Sequence, residues 1–476
     1  MGKPQASTES NWADDFRTRV VGIDHRIPLL DGRRVPYINL DNAASTPALR
    51  EVWEAVEGFL PFYSSVHRGT GFKSRLSTVA YDQAHEVIAR FVGADTSTNT
   101  VIFGKNTTEA INKLSYRLDV PEGSVVVTTL LEHHSNDLPW RDKAQIVRVG
   151  ATPEGRLDED EYDRVLKEHE GRVALVAVTA ASNVSGFIQP IHRLARKAHE
   201  AGALFLADAA QIAAHAPIDM KADDDPEHID FVALSGHKMY APFGTGALVG
   251  PKSVFLASGP DYSGGGTVDI VTQQDVYWAG MPDRDEAGSP NVVGAVAMAV
   301  AARVLMEAGM ETIAAHEHEL VAYALERMAG VPDLKVYGET DPARAAEKVG
   351  VIPFNMAGKS HYLVAAVLGY EAGIGVRSGC FCAHPYVVHL LGLTQEEQRR
   401  WREQMLSGDK SEMPGMLRAS FGCYNTTDDV DRLVEMLVRI AEDDYLGDYR
   451  VEKSSGVYLP VGYEEPLSDF FLLDGE

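Results

Sequence analysis

Between about residues 80 and 250 the chain alternates short apolar runs with segments of helical spacing, and no other feature constrains the fold as much. The runs are 101–103, Val125–Thr129, Val173–Thr179, 204–207 and 231–234. Each is partly β-branched and bounded by turn residues, the pattern of a buried strand. Helical segments separate several of them: 81–91, with Ala84, Val87, Ile88 and Phe91 on one face, then 110–118 and 194–201. Strands alternating with helices predict an α/β fold whose mostly parallel sheet is covered on both faces. In such sheets ligands collect at the carboxyl ends of the strands.

At 476 residues the chain exceeds one ordinary core, so two domains with arms are expected. We expect an N-terminal arm at 1–36 and a large domain at 37–309 that ends in an alanine-rich connecting helix at 292–307. A smaller domain follows at 310–445, with helices near 311–328 and 428–442 and strands near 349–354 and 416–421. A Gly- and acid-rich tail occupies 446–476. The formal charge of -25, from 69 acidic against 44 basic residues, excludes nucleic acid and anionic membrane as expected partners, since both need basic patches. The three cysteines, Cys380, Cys382 and Cys423, do not make a disulfide framework and fit a reducing compartment. The first residues lack a basic start followed by an apolar core, and no apolar run is long enough to span a bilayer. The expectation is a cytoplasmic protein.

Ser235-Gly236-His237-Lys238 follows the run 231–234. A lysine at the end of a buried strand has a dry wall behind it, which lowers its pKa and frees the amine to attack a carbonyl. Taken alone, the tetrapeptide reads first as an exposed lysine after a core strand. Three further strand ends carry polar residues. Asp208, ending Leu206-Ala207-Asp208, suits a buried cation such as a protonated pyridine nitrogen, or a simple helix cap. Asn106-Thr107-Thr108-Glu109 opens a helix, as an anion site or a capping box. Glu132-His133-His134-Ser135-Asn136 offers a histidine to stack on a planar ring. Adjacent histidines diverge, and no ligand set completes a metal site around them, so no metal is expected.

In their order along the chain these motifs, with Asp41-Asn42-Ala43-Ala44, Val66-His67-Arg68-Gly69, Ser182-Asn183, Glu286-Ala287-Gly288, Arg377-Ser378-Gly379 and Arg418-Ala419-Ser420, resemble the class V aminotransferase group of pyridoxal-phosphate enzymes. Within that group the pattern is similar to the short-loop cysteine desulfurases and selenocysteine lyases. The resemblance spans roughly 37–443. It implies an aspartate-aminotransferase-like fold, with a large domain around a mostly parallel seven-stranded sheet and a smaller α+β C-terminal domain. It also implies pyridoxal 5'-phosphate as cofactor. Lys238 would hold it as a Schiff base, Asp208 would pair with its ring nitrogen, Gln211 would bond its ring oxygen, and His133 would stack on it and serve catalysis. Thr107, Thr108, Ser235 and His237 would hold its phosphate, joined across a homodimer interface by Thr267 of the partner. Asn183 and Arg418 would bind the carboxylate of L-cysteine or a related amino acid, a task that suits a planar guanidinium fork.

The choice of reaction rests on Arg377-Ser378-Gly379-Cys380-Phe381-Cys382-Ala383-His384. In the group resembled, the persulfide cysteine follows such an Arg-x-Gly, and position 382 is the match. A reactive thiolate needs a positive neighbour, which Arg377, Arg418 or His134 would supply. A buried structural cysteine and a zinc site with Cys380 and His384 that lacks a fourth ligand are the other readings. Cys380 is additional to the usual pattern, as are the charged stretch 394–414 and the tail. The expected activity is conversion of L-cysteine to L-alanine, with sulfur carried on Cys382 to an acceptor protein or small molecule. The alternative is a C–S lyase, selenocysteine lyase, epimerase or transaminase of the same group that uses no catalytic cysteine.

Overall fold

The structure is a computed structural model that describes residues 10–473. Its main sheet has seven strands: β1 (Asn99–Gly104), β2 (Val125–Thr129), β3 (Gln145–Val149), β4 (Val173–Thr179), β5 (Leu204–Asp208), β6 (Phe231–Ser235) and β7 (Gly246–Pro251), in the spatial order β1-β7-β6-β5-β4-β2-β3. All pairings from β6 to β3 are parallel. Only β7 runs against its neighbours, β6 and β1. The short link from β6 to β7 cannot hold a crossover helix, so the chain returns antiparallel.

The apolar runs are continuous because both faces of the sheet are buried. Val125, Val127, Val176, Val178, Phe205, Val232 and Leu234 face one hydrophobic cluster. Their chain neighbours Val126, Leu175, Ala177, Leu206, Phe231 and Ala233 face another. The first cluster is covered by helices Phe72–Phe91, Ile191–Glu200 and Val292–Ala308, through residues such as Tyr81, Leu194 and Met298. The second is covered by Thr107–Arg117 through Ile111 and Leu114.

A smaller antiparallel sheet carries β8 (Leu334–Val336), β9 (Val351–Met356), β10 (Arg377–Gly379) and β11 (Met416–Ser420) in the order β8-β9-β11-β10. Helices Met310–Met328, His361–Ala372 and Thr427–Ala441 pack on it around Leu320, Leu368 and Leu437. Ile38 and Leu40 join this second core although they lie near the start of the chain. Ile38–Asn39 pairs in parallel with Ile374–Gly375. The N-terminal helix Ser10–Thr18 places Phe16 in the first core.

Several elements extend beyond their sequence signals. The helix read at 81–91 begins at Phe72. Its early turns bury Ser74 and Ser77, whose hydroxyls bond Ser65 O and Ser64 N, and this polar inner face hides the periodicity. The charged stretch 394–414 contains helix Gln395–Leu406, started by a Thr394–Glu397 capping box and burying none of its residues. Among the described residues no single helix is long and apolar enough to cross a membrane. Val292–Ala308 and Met310–Met328 together pass on length and composition, but they are bent by 75° at Gly309, and most of the first is core.

Candidate active site

The carboxyl ends of β1, β2, β4, β5 and β6 converge on one cavity, which the smaller unit closes with Arg377, Phe381, Cys382 and Arg418. Asp208 is the last residue of β5 and Ser235 the last of β6. Lys238 ends the 3-10 turn Gly236–Lys238 that follows β6. The residues expected from sequence at Thr107, Thr108, His133, Asn183, Asp208, Gln211, Ser235, His237, Lys238, Cys382 and Arg418 all line this cavity.

Thr267 does not. Its side chain has no exposed surface, and its hydroxyl donates to Gly264 O at 2.8 Å. Its expected place is the partner's cavity across a subunit interface, not the cavity of its own chain.

The helix start is held tightly against the sheet. A side chain at Gly246 of β7 would stand 2.5 Å from both Asn106 Cα and Leu234 O, so only glycine fits between the cap and β6. Asn106 caps the helix by accepting from Glu109 N at 3.0 Å, and Thr107 N donates to Ser235 Oγ at 3.3 Å. Thr107 Oγ1 is buried without a partner. Free donors at a helix start favour an anion.

Burial depresses Lys238 to about 8, even though the Asp208 carboxylate works the other way. Asp208 is buried, and desolvation raises its carboxyl although Ala210 N donates to Oδ1 at 3.0 Å. Neither side chain has an ion-pair partner among the described residues within reach of a salt bridge. Ser135 N donates to His133 Nδ1 at 3.1 Å, which places the ring proton on Nε2. Burial and the nearby Lys238 amine hold His133 at about 4, so its ring is neutral where it lines the cavity. His237 is likewise held at about 4 by burial.

Arg418 is 2 % exposed. Its fork donates to Asn183 O and to Asp41 Oδ1, both at 2.9 Å, and its guanidinium lies 4.8 Å from the centre of the Phe381 ring. Its Nε has no partner. Asn183 spends its amide on Phe381 O at 2.8 Å, so it anchors the cysteine loop in this structure.

The three cysteines separate clearly. Cys380 is buried, its Sγ–H donates to Pro414 O at 3.1 Å, and burial pushes its thiol up to about 11. Cys423 is buried against Tyr240 Oη at 3.1 Å, with its thiol raised by burial. Cys382 is exposed and lines the cavity. It sits with Phe381 in consecutive left-handed conformations, φ 54 and 51°, which cost energy in non-glycine residues and recur where function needs them. His134 N donates to Cys382 O at 2.8 Å, and His134 stacks on His384 at 4.9 Å with an interplanar angle of 7°. No Cys–His metal cluster forms here among the described residues.

Other residues that shape the site carried no role in the sequence reading. Ser135 bonds Thr108 Oγ1 at 2.6 Å and His133 Nδ1 at 2.9 Å. Glu132 is fully buried beneath them. Both lie inside the quoted 132–136 motif, where a serine two residues after the histidine was the available signal. Asp41 orients Arg418 from a distant part of the chain, and no local signal marked the pair.

The donor set fits pyridoxal phosphate. A buried acid without a cation, a depressed lysine, a neutral ring, the Gln211 amide at the cavity wall and an open helix start match its pyridine nitrogen, aldehyde, ring face, ring oxygen and phosphate.

Comparison with known proteins agrees. The family model of aminotransferase class V matches residues 38–433. A cysteine desulfurase of Haloferax volcanii is 32% identical over 416 residues, covering 86% of this chain and 90% of its own. A cysteine desulfurase of Dickeya dadantii is 36% identical over 416 residues, covering 85% and 92%. The apo structure of cysteine desulfurase from Thermococcus onnurineus NA1 superimposes with a TM-score of 0.74 at 30% identity, covering 86% of this chain and 95% of that one. With this fold and these strand-end residues, the chain belongs to the class V aminotransferase family, as a homologue of its cysteine desulfurases.

Proposed function

We propose that this chain, a pyridoxal-phosphate-dependent cysteine desulfurase by family, takes the sulfur of L-cysteine onto Cys382 and releases L-alanine. The observation that carries the assignment to Cys382 is the contrast within one loop. Cys382 is exposed to the cavity, whereas Cys380, two residues away, is buried, protonated and bonded to Pro414 O.

Lys238 would hold pyridoxal phosphate, with Asp208 at the ring nitrogen, Gln211 at the ring oxygen, His133 on the ring face, and Thr107, Thr108, Ser235 and His237 at the phosphate. When bound, the cofactor withdraws electrons from the Cα of the amino acid. Arg418 binds the substrate carboxylate through the edge that Asp41 and Asn183 O leave open, which fixes the Cα–H bond for removal. Lys238, poised near neutrality by burial, takes that proton at Nζ. Cys382 Sγ attacks the substrate sulfur. An S–S bond forms as the substrate C–S bond breaks, and the electron pair of that bond becomes a new C–H bond of alanine. Arg377 and Arg418 line the same cavity as Cys382 Sγ and give the attack a positively charged surrounding. The protein works as a homodimer in a reducing compartment and passes the sulfur to an acceptor protein or small thiol.

The test is incubation of the holoenzyme with L-cysteine, followed by intact mass and peptide mapping. One added sulfur on Cys382 is expected. The Cys382→Ala variant should lose at least 100-fold of alanine formation, an order-of-magnitude expectation for removing a nucleophile, and Cys380→Ala should stay within about threefold of the parent. Undiminished turnover by Cys382→Ala would overturn the assignment.

A further inference from the structure

Beneath the cavity a buried chain of three polar side chains ends on the larger helix that leads into the smaller unit. Gln211 Nε2 lies 3.2 Å from His215 Nε2, and His215 Nδ1 lies 2.8 Å from both oxygens of Glu317. Gln211, His215 and Glu317 are 3, 3 and 1 % exposed. Glu317 belongs to helix Met310–Met328, and its Oε2 also accepts from Gly350 N at 3.4 Å, at the entry to β9. Gln211 Oε1 is buried with no partner, while Gln211 itself lines the cavity.

The donors and acceptors fix the chain's polarity. A carboxylate only accepts, so His215 donates its Nδ1 proton to Glu317. An amide nitrogen only donates, so Gln211 Nε2 gives an N–H to His215 Nε2, which accepts it. An amide held this way cannot flip without losing that bond. One N–H of Gln211 is occupied, and its second N–H is left for a ligand in the cavity.

We propose that His215 and Glu317 are positioning residues of the desulfurase: they act through Gln211, holding its amide so that an N–H is presented to the ring oxygen of bound pyridoxal phosphate. The proposal rests on the cofactor placement given above. It makes the ring oxygen's hydrogen bond depend on Glu317, which sits on a helix shared with the smaller core and bonded to the entry of its sheet. The other titratable groups facing Glu317 are Tyr240 and Cys423, both held protonated by burial, and the neighbouring His318, which burial keeps neutral. None of them supplies a second acceptor for His215 Nδ1 among the described residues.

A donor on the ring oxygen stabilises the deprotonated form of the bound cofactor, so losing that donor raises the pH at which the visible band titrates. The experiment is a spectrophotometric pH titration of the holoenzyme. The variant His215→Phe/Glu317→Leu replaces both buried polar groups by apolar ones of similar shape, which avoids leaving one of them orphaned. The midpoint should rise by about one pH unit, the size set by one hydrogen bond. Gln211→Leu should give the same rise, and adding the pair to Gln211→Leu should add nothing. Where the pair fails to melt cooperatively, His215→Asn is titrated in its place, with the same rise expected. A folded variant whose midpoint is unmoved overturns the relay, as does a pair that shifts the Gln211→Leu midpoint just as much as the parent's. Parent protein that takes up no pyridoxal phosphate overturns the cofactor placement and the relay with it, an outcome distinct from a coloured protein with an unmoved midpoint.

Discussion

A buried amine holds its proton weakly, and Lys238 is the residue where this matters most. Burial lowers it from the ordinary 10.5 to about 8, and Asp208 offsets only part of the loss. The sign for stability follows. Between about pH 8 and 10.5 the unfolded chain binds a proton that the folded chain has released, so Lys238 makes folding more favourable as pH rises through that window and penalises the fold below it. The sign for chemistry is the same. At pH 8 about half the Lys238 amine is neutral, against roughly 0.3 % for an ordinary lysine. We expect cofactor-free protein to capture pyridoxal phosphate at a rate that rises with pH and levels off just above 8, read by the growth of its visible absorbance. A rate still climbing steeply at pH 10 would mean that the site does not depress the amine.

At the scale of elements, Glu132 holds the histidine turn to the sheet. Its carboxyl accepts from Thr129 Oγ1 at 2.6 Å on β2, from Thr179 N at 3.0 Å on β4 and from Asn136 Nδ2 at 2.6 Å in the turn after His133. Burial, with the nearby Asp208 charge, pushes it up to about 8 against those three donors. A carboxyl raised on folding contributes stability that is present below its unfolded value near 4.5 and is lost as pH rises through 8. Glu132→Gln lacks this titration. The parent should therefore lose stability relative to Glu132→Gln as pH goes from 5 to 8.5, measured by urea melts at several pH values. Glu132→Ala orphans three buried donors and should cost about 3 kcal/mol or more, with looser cofactor binding because His133 is no longer fixed.

These elements also show which parts of the molecule were legible in the sequence. Strands β2, β4, β5 and β6 were readable because each buries both faces, leaving a continuous apolar run. The residues at their ends were readable because a polar group after such a run must face something. Contacts between distant positions left no local trace. Asp41 and Arg418 are 377 residues apart, and His215 and Glu317 are 102 apart.

On the scale of the whole molecule, the segment after 445 is part of the smaller unit. Glu371, on helix His361–Ala372 and 5 % exposed, accepts from Leu446 N at 2.8 Å, Gly447 N at 3.0 Å and Tyr449 Oη at 2.9 Å. Further on, Lys453 O accepts from Lys410 N at 2.7 Å. Lys410 precedes Met413, whose carbonyl accepts from His361 Nε2 at 3.0 Å, and Pro414, whose carbonyl takes the Cys380 thiol. The tail thus braces helix His361–Ala372 and the 410–414 segment, and that segment braces the loop carrying Cys382. Ending the chain at 445 would strip a buried carboxylate of all three donors and free one end of this brace. We expect a loss of about 3 kcal/mol or more and a fall in alanine formation with little change in the visible band, because no tail residue among the described ones lines the cofactor cavity. Glu371→Gln in the truncated chain should restore part of the stability, since a neutral amide tolerates the missing donors better than a carboxylate, but should leave turnover low. Chemical denaturation paired with alanine release separates the two effects. Full turnover by the truncated chain would show that the brace does not reach Cys382.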